Sequence, residues 1–155
     1  MEYSSRDIAL LSDACMSLYF LVAGSDGGVS RAEQQAFIDN HLPTLKSARI
    51  FDQFHNELIM ECLLQSRQSP KALVRRESLD EAAHLATLRR AAALVAAKES
   101  EEGYERYGAQ MRLLAQQVAE ASKSYWGLGQ AVSQAEADMI KKINLILRLA
   151  PRKSR

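Results

Sequence analysis

Residues 29–33 read Val-Ser-Arg-Ala-Glu and residues 132–136 read Val-Ser-Gln-Ala-Glu, so one short phrase occurs near each end of the chain. In both copies the serine can cap a new helix, while the glutamate three residues later can reach back to the cap. Each copy follows an apolar run with helical spacing and then a break that contains glycine. The repeated phrase therefore predicts two related helix-loop-helix halves.

The composition of the whole chain favours helices. Of its 155 residues 47% are hydrophobic, and only 7 are glycine and 3 are proline. This length is enough for one domain with its own core, and the scarcity of glycine and proline suits helices better than strands and turns. We predict an all-α fold, a compact bundle of six to eight helices, with a single domain over residues 1–150 and a basic flexible tail over residues 151–155.

Apolar residues at helical spacing mark the individual helices. The first helix should begin at Ser4 or Ser5 and end at the break that starts with Gly24. Its expected apolar stripe consists of Ile8, Leu11, Cys15, Leu18, Tyr19 and Val22. Later helices are predicted at residues 30–41, 47–67 and 104–125. A last helix should stop before Pro151, and its expected apolar residues are Met139, Ile140, Ile143, Ile146 and Leu147.

An alanine-rich helix is predicted between these segments. A capping box at Ser78 should open it, with Glu81 as the reciprocal partner, and it should end near Lys98. Because its many alanines permit close approach of neighbours, we place this helix at the centre of the bundle. The acidic run 99–103, with Gly103 as a boundary, is expected to separate it from the next helix.

The charge balance excludes several broad classes of partner. The formal net charge is +1 and the isoelectric point is near 7.8, so neither nucleic acid nor an acidic membrane is suggested as a general partner. The apolar stretch 14–24 is too short to span a bilayer and has no basic segment before it. We expect a cytoplasmic protein with no stable membrane insertion.

The usual catalytic signatures do not occur in the sequence. There is no phosphate-binding loop followed by lysine, no His-Glu-x-x-His, no Cys-x-x-Cys and no Gly-x-Ser-x-Gly. His41, His55 and His84 are scattered and are expected to be surface or loosely satisfied residues, while Cys15 and Cys62 are expected to be buried free thiols. Asp52, Glu57 and Glu61 could supply acid–base carboxylates, but they read equally well as the wet face of one helix. We predict that the chain is not an enzyme.

Two charged clusters could contact a protein partner. Lys71, Arg75 and Arg76 form a basic cluster near a central break, and residues 99–102 form an acidic cluster. Charged ends of this kind can steer association, although solvated helix ends have the same composition. An aromatic group that could anchor an interface, but more often belongs to a core, consists of Tyr104, Tyr107, Tyr125 and Trp126.

The first loop has part of the pattern of a calcium-binding EF-hand loop. Counted from Val22, Asp26 is at the fifth position, glycine follows at the sixth, and Glu33 is at the twelfth. The first and third positions, which should supply oxygen ligands, are Val22 and Gly24. We therefore consider an interhelical divalent-cation site in which Asp26 and Glu33 are joined by Asp13. The simpler interpretation is that Asp26 stabilises the turn and Glu33 completes a capping box.

The run Leu18-Tyr-Phe-Leu-Val-Ala-Gly-Ser-Asp-Gly-Gly-Val-Ser-Arg-Ala-Glu33 resembles the signature of the TerB-like (tellurite resistance protein B-like) family. Residues 126–136, Trp-Gly-Leu-Gly-Gln-Ala-Val-Ser-Gln-Ala-Glu, resemble the second, degenerate copy of that signature. The matching positions are Asp26, Gly27, Val29, Ser30 and Glu33, then Val132, Ser133 and Glu136. Gly129 stands where the fuller motif has aspartate, which limits the cation hypothesis to the first loop.

The resemblance implies a bacterial all-α domain of about seven helices with pseudo-twofold halves. It also implies an association with tellurite resistance and stress responses, and a role in metal sensing or scaffolding. Three functions remain open at this point: a non-enzymatic, cation-responsive binding or scaffolding module, a metal-dependent hydrolase or metal-sequestering protein that uses interhelical carboxylates, and a structural homodimer without a ligand.

Overall fold

The computed structural model describes residues 3–25, 80–125 and 134–149, and these residues form helices and no strand. The helices are α1 (Ser5–Ala23), α2 (Glu81–Lys98), α3 (Glu101–Tyr125) and α4 (Gln134–Leu149). The predicted all-α class is confirmed for this part of the chain. The count of six to eight helices and the paired halves depend on residues outside these ranges.

Both ends of α1 lie where the sequence predicts them. The backbone N–H of Asp7 donates to the Ser4 hydroxyl over 3.2 Å, and the N–H of Ser4 donates to the Asp7 carboxylate over 2.9 Å. This capping box satisfies two of the backbone donors that a helix start leaves free. At the other end the N–H of Gly24 donates to the Phe20 carbonyl over 2.9 Å, and the helix stops.

Helix α1 is enclosed on all sides along its second half. Every residue from Ala14 to Val22 is buried, and nine consecutive residues make two and a half helical turns. The predicted single apolar stripe is therefore too narrow. The alanine-rich α2 is less enclosed, because Arg89 and Arg90 on its outer face are exposed. Of the described helices, α1 and not α2 lies deepest in the bundle.

The start of α2 differs from the prediction. Asp80 caps the helix, since its carboxylate accepts the backbone N–H of Ala83 over 2.8 Å. Glu81 is therefore the first helical residue and cannot act as the glutamate of a capping box opened by Ser78, which lies outside the described residues. Its carboxylate instead accepts from Lys142 of α4 over 2.7 Å. Aspartate caps helices as well as serine does, so the two starts are hard to separate by sequence.

The break between α2 and α3 is also shorter than predicted. Helix α3 begins at Glu101, so Gly103 lies in its first turn and does not mark a boundary. The N–H of Gly103 donates to the Ser100 hydroxyl over 3.1 Å. A Cβ at position 103 would lie only 3.1 Å from the Cβ of Glu99. A side chain at this position would be crowded by Glu99, because the chain turns closely between α2 and α3.

The four described helices share one apolar core. Helices α1 and α2 run antiparallel, because residues near the start of α1 bond residues near the end of α2. Helix α4 contributes the inner face that its sequence predicts, formed by Met139, Ile143, Ile146 and Leu147. The Tyr104 hydroxyl donates to the Leu147 carbonyl and joins α3 to α4. Among the described helices, none combines the length and apolarity that a membrane span requires.

Candidate functional site

Of the three residues predicted to hold a cation, only Asp13 lies in the described part of the chain. It is half-buried on α1, between the buried Ser12 and Ala14. Asp26 and Glu33 lie outside the described residues. Within residues 3–25, 80–125 and 134–149, no group of three or more His, Cys, Asp or Glu side chains could hold a metal ion. The cation site stays a prediction that depends on the residues after Ser25.

The position of Asp13 sets a geometric condition on that prediction. Asp13 precedes Ala23, the last residue of α1, by ten residues, which is about 15 Å along the helix axis. Aspartate and glutamate oxygens must approach a bound divalent cation to about 2.0–2.6 Å. A site that combines Asp13 with Asp26 therefore requires the chain to return along α1 after Gly24.

A buried polar pair joins α1 to α2 where the sequence suggests only apolar packing. The Ser17 hydroxyl and Nδ1 of His84 lie 2.9 Å apart and share a hydrogen bond. The side chains are almost fully covered, with Ser17 2% exposed and His84 4% exposed. The Phe20 ring stacks on the imidazole at a centroid distance of 5.6 Å. Of the two expectations for His84, a position at the surface is therefore wrong.

The spacing of apolar residues along α2 indicates that His84 is buried. His84 precedes Leu88, Ala91 and Val95 by four, seven and eleven residues, and all three are buried. Residues at this spacing lie on one helix face, so the periodicity places the histidine in the core. Histidine is more often found at the surface than in the core, so the residue type alone predicts that His84 is exposed.

The Ser17–His84 pair has the donor–acceptor distance of an activated nucleophile and its base. Its burial argues against that role, because a substrate must reach the hydroxyl oxygen. Paired polar groups in a core avoid the cost of burying an unsatisfied donor or acceptor. We interpret the pair as a structural connection that sets the register of α1 against α2.

A second polar group, exposed at its edge, connects the start of α1 to the junction of α2 and α3. The Lys98 ammonium contacts the Asp7 carboxylate at 2.8 Å and lies 5.3 Å from the centre of the Tyr3 ring. The Tyr3 hydroxyl donates to the Glu99 carboxylate over 2.7 Å. We call Tyr3, Asp7, Lys98 and Glu99 the terminal clasp, because it holds the first turn of α1 on the bundle.

The clasp changes the acidity of two of its members. The hydrogen bond from Lys98, together with the backbone N–H of Ser4, lowers the pKa of Asp7 from 3.8 to about 2. Burial raises the pKa of the Tyr3 phenol above its ordinary value, and the carboxylate of Glu99 raises it further. Tyr3 therefore keeps its proton and its hydrogen bond to Glu99 over the whole physiological range.

The lowered pKa of Asp7 predicts a loss of stability in acid. Since the folded pKa lies below the unfolded one, the contribution of Asp7 is complete above pH 3.8 and is lost as the pH falls towards about 2. The melting temperature of the wild type should exceed that of Asp7→Asn by a constant margin at neutral pH. The margin should narrow below pH 3.8 when both proteins are melted over a pH series.

A matched variant separates the ion pair from the capping box at the same residue. Lys98→Met removes the main cause of the lowered pKa of Asp7 and leaves Ser4 and Asp7 intact. The difference in melting temperature between this variant and the wild type should therefore narrow over the same pH range. Asn at position 7 can still accept the backbone N–H of Ser4. A margin that stays constant down to about pH 2 would show that Asp7 is not held ionised by Lys98.

The structure describes some of the residues that were predicted to contact a partner. In the acidic cluster, Glu99 accepts from Tyr3 and Glu102 pairs with Arg106 of the next turn. Tyr104 and Tyr107 are buried and belong to the core. The basic cluster at residues 71–76, the carboxylates at 52–61 and the histidines at 41 and 55 lie outside the described residues.

Helix α4 has an exposed apolar feature that its sequence pattern does not predict. Leu145 and Leu149 are the large hydrophobic residues that the described helices leave exposed, at 56% and 71% respectively. They lie four residues apart on the outer face of α4. The inner face of this helix is readily read from its isoleucines, and these two leucines fall outside that stripe.

The comparisons with known proteins add no family to these observations. No family model matches the chain, and searches of curated proteins and of solved structures found no match either.

Proposed function

We propose that this chain is a non-enzymatic, TerB-like binding or scaffolding module of a bacterial stress response, and that it responds to a divalent cation through Asp26 and Glu33. Asp13 is proposed as a third ligand, on the condition that the chain returns along α1. The partner in this proposal is another protein. The proposal rests on the resemblance of residues 18–33 and 126–136 to the TerB-like signature.

The observation that supports it most directly is the end of α1. The helix stops at Ala23 and is capped at Gly24, where the signature requires a helix to pass into the Asp-Gly segment. Since Ala14 to Val22 are buried on all sides, the helix is a rigid support for whatever follows it. An ion bound by Asp26 and Glu33 next to such a helix would give the protein an ion-bound and an ion-free state, and a partner could bind one of them more tightly.

Thermal melting of the full, chelator-stripped chain tests the cation response. A cation at about 100 times its Kd should raise the free energy of unfolding by about 2.7 kcal/mol, which is roughly 5–10 °C for a domain of this size. We expect this shift with one of Ca²⁺, Mg²⁺ or Zn²⁺. Asp26→Asn and Glu33→Gln should each abolish the shift, and Asp13→Asn should reduce it.

Glu105→Gln is the matched control, because Glu105 is an exposed carboxylate on α3 that the site does not use. This variant should keep the whole shift. If no cation raises the melting temperature, or if Asp26→Asn and Glu105→Gln respond alike, the cation response is wrong and the two phrases act as helix caps.

A further inference from the structure

The charges of this chain are divided unevenly along its length. Residues 141–155 contain six of the 20 lysines and arginines and none of the 19 acidic residues. The remaining 140 residues hold 14 basic residues against all 19 acidic ones, so a segment of charge +6 follows a body of charge −5. Such asymmetry points to an anionic partner even where the total charge is close to zero.

Half of these basic residues lie on α4, and all three are exposed. Lys141 and Arg148 are seven residues apart and form a row on one side of Leu145 and Leu149. Lys142 lies on the other side, and its ammonium is paired with Glu81 over 2.7 Å. The outer face of α4 is thus a convex leucine ridge with cationic side chains along both borders, and the exposed Asp138 lies on the same face two turns before Leu145.

A surface of this kind fits a lipid interface better than the alternatives. Two copies of α4 packed face to face would bring Lys141 and Arg148 of one copy close to the same cations of the other. The acidic residue of that face, Asp138, already accepts a hydrogen bond from Gln134. A nucleic acid would engage the cations and leave the leucines in water. An interfacial helix uses both features, since apolar side chains enter the acyl boundary while long basic side chains reach the headgroups.

We propose that the outer face of α4 docks on an anionic lipid surface. Leu145 and Leu149 enter the boundary between headgroups and acyl chains, and Lys141 and Arg148 contact the lipid phosphates. The association is peripheral and reversible, because two leucines bury little area and no described helix crosses a bilayer. Lys142 contributes less than the other two cations, because Glu81 already neutralises it.

Co-sedimentation of the full chain with vesicles tests this surface. The protein should bind vesicles of phosphatidylcholine mixed with phosphatidylglycerol, should bind phosphatidylcholine alone far more weakly, and should dissociate as salt is raised. Leu145→Gln with Leu149→Gln should weaken the binding by about tenfold or more. Lys141→Gln with Arg148→Gln should weaken it by about fivefold for each charge removed.

Arg89→Gln with Arg90→Gln is the matched control, because both arginines are exposed on α2 and the pair removes the same charge. Its binding should equal that of the wild type. All substituted positions are exposed, so circular dichroism and melting curves should show that each variant folds.

Four results would overturn the proposal. One is an equal loss of binding in the α2 and α4 charge variants, and another is wild-type binding by the leucine variant. The third is a chain that does not bind vesicles but binds duplex DNA. The fourth is a chain that does not bind vesicles but forms a dimer, which the leucine variant converts to a monomer in light scattering.

Discussion

Leu18→Ala should lower the free energy of unfolding by about 2–5 kcal/mol, which is the largest effect we expect from a single substitution in the described helices. Leu18 is 0% exposed at the middle of the enclosed half of α1. Removing its branched end takes away buried apolar area and leaves a cavity that the surrounding helices cannot fill completely. Denaturant unfolding followed by circular dichroism measures the loss.

Leu145→Ala is the matched control for this prediction. It deletes the same atoms from a leucine that is 56% exposed, so its effect on unfolding should stay within about 0.5 kcal/mol. Equal losses in the two variants would mean that α1 is not the enclosed helix of the bundle.

Ser17→Ala should lower the free energy of unfolding by about 1–3 kcal/mol. The hydroxyl is 2% exposed and shares a hydrogen bond with Nδ1 of His84. Its removal leaves that nitrogen buried without the partner that α1 supplies, and the cost of an unmade hydrogen bond exceeds the gain of a made one. Denaturant unfolding of the variant and the wild type in the same buffer measures the difference.

A double-mutant cycle with His84→Leu shows whether the pair is coupled. The double variant Ser17→Ala with His84→Leu should lose less than the two single variants lose together, because both polar partners are then gone. Additive losses would show that the two side chains act independently and that the 2.9 Å contact does not set the helix register.

The sequence predicted the helices well where local rules decide the outcome. The start of α1 at Ser5, its stop at Gly24 and the inner face of α4 are all present as the spacing indicates. These features depend on residues within one or two turns of each other, so a pattern over a few positions contains the information.

The predicted helix ends were wrong where two local conformations of the chain have similar free energies. Ser78 and Asp80 are both good caps, and the chain uses Asp80 for α2. Glycine disfavours helix, so Gly103 was predicted to be a boundary. It lies instead in the first turn of α3, where a side chain would be crowded by Glu99. The contact with Glu99 arises from the close turn between α2 and α3, and the helix propensity of single residues does not predict it.

The candidate sites also differ in whether the local sequence is enough to predict them. Asp26 and Glu33 come from a local phrase that the sequence displays directly, and their proposed cation site awaits the melting experiment. The Ser17–His84 pair joins residues 67 positions apart, and Tyr3 and Glu99 of the terminal clasp are 96 positions apart. No periodicity of a single helix contains the information that such residues meet.

By itself, the sequence determined that this part of the chain is helical, where α1 begins and ends, and which face of α4 is apolar. The tertiary structure alone decided that α1 is covered on every side, that the partner of His84 is Ser17, and that Leu145 and Leu149 stay exposed. The physical reason is that helix formation depends on neighbours in sequence, whereas burial depends on which other helices arrive at each face.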